Sequence, residues 1–151
     1  MTDVAVVDYG MGNLRSVAKA VERVAPRLGV AVTSDAETVR RAARVIFPGQ
    51  GAMPDCMREL DARGLREAVV EAAHTKPFLG ICIGLQMLFE RSDEGDVSGL
   101  GLLPGQVRRF PDDKMTGAGG VRLKVPHMGW NQVQQVIKHP MWKDIPQDAR
   151  F

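Results

Sequence analysis

The stretch "FLGICIGLQMLFE", Phe78–Glu90, sets Cys82 two residues from a glycine on either side, where an apolar run gives way to helical spacing. Gly80-Ile81-Cys82-Ile83-Gly84 is the cysteine form of G-x-S-x-G, a strand–turn–helix in which the nucleophile sits on a strained backbone. The glycines make room, because side chains there would collide across the tight turn. A helix leaving the turn aims its N-terminal N–H groups at the sulfur, which favours the thiolate. The plain alternative is a buried core cysteine that happens to lie between glycines. Strand, glycines and helix all fall where an elbow needs them, so the nucleophile is the better reading. Cys56 lies in the helical pattern "AMPDCMRELDARG" without a glycine frame and reads as packing or simple exposure.

Outward from the elbow, the chain alternates. "VAVVDYG" (Val4–Gly10) is a short β-branched run ending in a turn, a buried strand. Leu14, Val17, Ala18, Val21, Val24 and Ala25 recur at helical spacing, and Pro26 closes that helix. Val30–Asp35 reads as a second strand, Glu37–Ala43 as a short helix and Arg44–Gly49 as a third strand. Helical patterning runs from about Met53 to Ala73 with a break at Gly64, then "KPFLGIC" gives a strand and "GLQMLFER" a helix. The alternation predicts an α/β fold, a doubly wound, mostly parallel sheet of flavodoxin-like type with helices on both faces. After Glu94, "GLGLLPGQVRRF", "VRLKVPHMGWNQV" and "QVIKHP" read as short strands of an antiparallel or mixed extension, with Pro111–Gly120 a hairpin or loop. No repeat or low-complexity linker interrupts residues 1–151, so one domain is expected.

Composition excludes several classes. Lys and Arg number 20 against 18 Asp and Glu, a net charge of +2 with the basic residues scattered, which gives no case for nucleic acid. No apolar run approaches the ~20 residues of a membrane span. Two cysteines without paired spacing, and an N-terminus that goes straight into a strand pattern, point to a reduced, cytoplasmic protein. No metal-ligand spacing and no cofactor motif stands out beyond the one discussed next.

A nucleophile attacking a carbonyl needs donors for the developing oxyanion. The N–H of Ile83, the residue after Cys82, is one; the glycine-rich turn "PGQGAM" (Pro48–Met53) offers another, since Gly49 and Gly51 let backbone approach a ligand, although alone it reads equally as an ordinary βα turn and gains weight only beside the elbow. A competing signal lies at "DYGMGNLRS", where Gly10, Gly12 and the later Asp35 resemble the start of a dinucleotide fingerprint. The third glycine would fall at Arg15, so nucleotide binding ranks second.

"PGQGAM", "GICIGLQMLFE" and "VVDYGMGNL" together resemble the class I, triad-type glutamine amidotransferases. With "GLGLLPGQVRRF" and "KVPHMGWN" added, the chain is similar across its length to the glutaminase subunits of imidazole glycerol phosphate synthases, of histidine biosynthesis. The resemblance implies that Cys82 attacks the side-chain amide of glutamine, releasing ammonia, and that the thioester is hydrolysed to glutamate. It implies an oxyanion hole from Gly51 and Ile83, and glutamine contacts at Gly49 and Gln86. It also implies a heterodimer with a (β/α)₈ cyclase/synthase subunit, which uses the ammonia in making imidazole glycerol phosphate and AICAR. Asn13, Met128 and Trp130 match regions near that partner or the ammonia passage, with a core aromatic as the alternative for Trp130. Another cysteine-elbow hydrolase of the same fold, or a non-catalytic nucleotide-binding or docking module, are the competing readings.

Thiolate chemistry of this kind usually takes a histidine base oriented by an acid. His74 precedes the fourth strand, at the amino edge of the sheet, and is discounted. His127 in "PHMGWN" could approach the site, although a structural role is the better reading. His139-Pro140 is followed by Met141, whereas the family places its base and acid in a His-Pro-Glu run. The resemblance therefore implies a C-terminally truncated domain that lacks those strands, with exposed apolar sheet edges and a tendency to associate.

Overall fold

The computed structural model describes residues 2–117, 120–125 and 129–151. The chain forms two compact units, one running to Arg109 and the other from Phe110 to Phe151.

The first unit is built on a parallel sheet of β1 (Val4–Val7), β2 (Val30–Thr33), β3 (Arg44–Gly49) and β4 (Phe78–Cys82), ordered β2-β1-β3-β4. All four residues of β1 are buried, as expected of a central strand covered on both faces. Helices α1 (Leu14–Val24), α2 (Ala36–Arg41), α3 (Met53–Ala62) and α4 (Arg66–Thr75) make the crossovers. α1 carries the chain from β1 outward to β2, and α2 brings it back past β1 to β3. Right-handed crossovers then place α1 on one face and α2, α3 and α4 on the other, and α2 packs against α4. The topological switch point lies between β1 and β3, at the carboxyl edge where such sheets bind ligands.

Local chemistry sets the boundaries. Asp35, read as the end of a strand, instead caps α2, accepting from the N–H groups of Glu37 and Thr38. Gly64, at φ 65°, separates α3 from α4. The core beneath α3 and α4 holds Tyr9, Phe47, Met53, Cys56, Leu60 and Leu65, all fully buried. The rings of Tyr9 and Phe47 lie 5.3 Å apart and tilted, a favourable aromatic contact.

The helix read through "GLQMLFER" is shorter than expected. α5 spans Ile83–Gln86, and Phe89–Ser92 is a strand, β5. The reason is competition for carbonyls. Leu100 N–H donates to Met87 O at 2.7 Å, and Leu102 and Leu103 donate to Leu88 O, so these acceptors are taken from any continuing helix. Gly99 permits the approach, since a Cβ there would collide with the Phe89 carbonyl. β5 pairs antiparallel with β6 (Val97–Ser98) and parallel with β7 (Leu103–Val107), a mixed three-stranded sheet. The α/β fold with a mixed portion is thus as expected, with that portion forming its own sheet.

In the second unit, the segment read as a strand in "VRLKVPHMGWNQV" contributes, among the described residues, only Arg122 and Gln132 to isolated pairings, with Thr116 and Arg150, and the one expected in "QVIKHP" does not form. Short 3₁₀ turns occupy Asp112–Lys114 and Pro140–Trp142. Among the described residues no helix is long and apolar enough to cross a membrane, and no group of three metal-ligating side chains gathers.

Candidate active site

Cys82 is the last residue of β4 and the N-cap of α5. Its backbone stands at φ 55°, ψ −121°, a conformation that side-chain-bearing residues rarely adopt. Such strain persists only where the surroundings enforce it, and here the flanking glycines do so. A Cβ at Gly84 would run into the Phe47 carbonyl oxygen, and one at Gly80 would lie 2.9 Å from Leu85 Cα. The turn is therefore jammed between β3 and its own helix, and Cys82 is pushed out, exposed and unpaired in any disulfide. α5 is a single turn, so its dipole is much weaker than that of a long helix.

β3 ends beside this elbow, with Gly49 in register with Cys82. Gly49 fills a crevice in which an added Cβ would lie 2.6 Å from Gly84 N, 2.8 Å from the Tyr9 hydroxyl and 2.9 Å from Ile83 Cβ. Gly51 takes φ 103°, open to glycine and strained for other residues. No described residue accepts a hydrogen bond from its N–H. Ile83 opens α5, so its N–H has no partner within the helix. Gln86 closes α5 one turn beyond Cys82, half-buried.

The loop after β1 reaches the same edge. A Cβ on Gly12 would lie 3.7 Å from Gly49 N, and one on Gly51 would touch Met11 Cε at 3.0 Å. Asn13 follows, exposed, and caps α1 by accepting from Ser16 N–H at 3.3 Å. The loops after β1, β3 and β4 thus form one cluster around the switch point.

His74 sits in the last turn of α4, at the entry to β4, roughly 15 Å of strand from the elbow. His139 caps the Pro140–Trp142 turn, its Nδ1 accepting from Met141 N–H at 3.2 Å. Trp130 is 78% exposed, so it is no core aromatic. His127 and Met128 lie outside the described residues. The nucleotide reading weakens, because the Asp35 carboxylate is occupied by the α2 N–H groups and the Thr38 hydroxyl. Those bonds hold its pKa below the usual carboxylate range, the Thr38 hydroxyl contributing most.

Three residues at this edge escaped sequence reasoning. Tyr9, fully buried, donates its hydroxyl to the Pro48 carbonyl at 2.9 Å. Burial pushes its pKa well up, and negative charge at Cys56 and Cys82 acts in the same direction. Cys56, also buried, donates its thiol to the Gln50 carbonyl at 3.4 Å, and burial raises its pKa too. Glu94 accepts from Met53 N–H at 2.9 Å, capping α3 where Ala52 cannot. Each partner lies far away in sequence or on the backbone, where side-chain spacing carries no signal; only the apolar context of Tyr9 hinted at burial.

Comparison with known proteins adds a family. The family described as CobB/CobQ-like glutamine amidotransferase domain matches residues 11–137. The imidazole glycerol phosphate synthase subunit HisH of Aromatoleum aromaticum is 72% identical over all 151 residues, which cover 71% of that relative. The proteins of the same name from Nitrosospira multiformis and Nitrosomonas europaea are 67% and 59% identical, again over the whole chain and 71% of each relative.

Proposed function

The chain belongs to the glutamine amidotransferase family, among the HisH subunits of imidazole glycerol phosphate synthases, and from that premise we propose how its residues divide the work. The protein hydrolyses glutamine to glutamate and ammonia. The Cys82 thiolate attacks the side-chain amide carbon, and the Gly51 and Ile83 N–H groups receive the negative charge that develops on oxygen. As the tetrahedral species collapses, the C–N bond breaks and the nitrogen takes up the proton that the thiol released on ionising, leaving as ammonia. Water then cleaves the thioester, giving glutamate and restoring the thiol. Gly49 and Gln86 border the glutamine.

The ammonia is delivered to a (β/α)₈ cyclase/synthase partner in a heterodimer, which uses it to make imidazole glycerol phosphate and AICAR in histidine biosynthesis. Asn13, Met128 and Trp130 belong to the partner face or ammonia passage; the exposure of Trp130 favours this over packing. We read residues 1–151 as belonging to one amidotransferase domain, because the family match crosses the boundary between the two units. The setting is the cytoplasm, where an exposed thiol stays reduced.

The observation that carries this reading is a cysteine held at φ 55° and exposed at the carboxyl edge, next to the switch point. The test is glutamate release from glutamine by the protein mixed with the barrel-fold synthase. Release that disappears in Cys82→Ala is the expected result. Release that persists in Cys82→Ala, or none from the unaltered protein with its partner, would overturn it.

A further inference from the structure

The peptide group that carries the Gly51 N–H also carries the Gln50 carbonyl. Because a trans peptide is planar, whatever holds the carbonyl on one side fixes the direction of the N–H on the other. Gln50 O is held by the Cys56 thiol of α3 at 3.4 Å. Two residues earlier, Pro48 O is held by the Tyr9 hydroxyl at 2.9 Å. Gly49, between them, has no freedom to compensate, hemmed in by Gly84 N, the Tyr9 hydroxyl and Ile83 Cβ.

We propose that Tyr9 and Cys56 are positioning residues of the oxyanion site, clamping the carbonyls on either side of Gly49 so that the Gly51 N–H faces the carbonyl attacked by Cys82. The proposal rests on the reading of Gly51 as an oxyanion donor. The clamp draws on three elements: Tyr9 follows β1, Pro48 is the penultimate residue of β3 and Cys56 lies in α3. It therefore ties the loop to the sheet and to the helix beyond it. Burial keeps both groups protonated, so both remain donors throughout the neutral range. This gives the second cysteine a task. It holds the backbone that the first one uses, and its buried thiol is spared from reaction.

The test separates oxyanion chemistry from thiol reactivity. A carbonyl-bearing glutamine mimic that acylates or alkylates through a polarised carbonyl needs the clamp, whereas iodoacetamide, reacting by simple displacement, does not. In Tyr9→Phe and Cys56→Ala, inactivation by the mimic should slow by about tenfold while iodoacetamide labelling of Cys82 stays within about twofold. Cys56→Ser, which keeps a donor, should retain most of the rate. Wild-type ratios in both Tyr9→Phe and Cys56→Ala would overturn the proposal, as would a Cys56→Ser no better than Cys56→Ala. If Tyr9→Phe fails to melt cooperatively, the Cys56 pair decides. Should the unaltered protein ignore the mimic, the glutamine reading falls, yet the clamp is still tested by hydrogen exchange of residues 48–57. That exchange should be faster in Cys56→Ala than in Cys56→Ser, and equal rates would refute the clamp.

Discussion

Cys82 leaves β4 at φ 55° with its side chain exposed, whereas Cys56 lies inside α3, buried, with its thiol donating to the Gln50 carbonyl. The two are chemically identical, and the backbone decides what each does. At the elbow the fold spends about 1–3 kcal/mol of strain to hold a thiol outside the packing. In α3 no strain is involved; the sulfur fills core volume and serves as a donor. Under the proposed function, the reactivity of Cys82 follows from the turn, the glycines and the exposure, and the thiol alone confers none of it.

The largest expected contrast is in turnover. Cys82→Ala should lower glutamine hydrolysis with the partner present by at least about 10⁴-fold, and Cys56→Ala by only about tenfold. Comparable losses in the two variants would erase the distinction. Next comes the steric frame. Gly84→Ala drives a Cβ into the Phe47 carbonyl and should destabilise the protein by about 3 kcal/mol or more. Gly101→Ala, at φ 66° with open space around it, should cost only about 1 kcal/mol. Urea unfolding measures both.

A smaller effect differs in sign between the two cysteines. Cys82→Gly relieves the positive φ and should stabilise by about 1 kcal/mol although it abolishes activity. Cys56→Gly, in a helix interior, should destabilise by at least about 1 kcal/mol. Thermal melts in which both variants move the same way would contradict the strain argument.

The smallest effect is on pH dependence. Tyr9 ionises near pH 10 when unfolded and well above that when folded, so its contribution is complete below pH 10. Above pH 10 the unfolded chain gives up the proton first, and stability declines with rising pH. Tyr9→Phe should flatten that decline, which denaturation midpoints between pH 8 and pH 11 would register.

How far the sequence disclosed this depends on the region. In the first unit, β-branched runs and helical spacing marked every strand and helix of the parallel sheet, because one face of each element is set by a continuous core. The elbow was legible for a similar reason: its glycines are forced by collisions within a few residues. β5 was not, because "LFER" satisfies a helix locally and only Leu100, Leu102 and Leu103, more than ten residues on, claim the carbonyls it needs. The bonds of Tyr9 and Cys56 at this edge were missed because their partners are backbone carbonyls, which leave no trace in side-chain patterning. In the second unit, strand-like composition met little core. Met115 is the buried hydrophobic residue among those described there, while Val121, Leu123, Val136 and Ile137 are exposed. Alternating apolar residues fix a strand only when a face is buried.

The proposed function requires Cys82 to be a nucleophile within a formed glutamine site. The most direct measurement exposes the native protein to a glutamine-mimicking electrophile and locates the adduct by intact mass and peptide mapping. The predicted result is a single adduct on Cys82, none on Cys56, and protection by excess glutamine. A folded protein that stays unmodified at Cys82, or carries its adduct on Cys56, would contradict it.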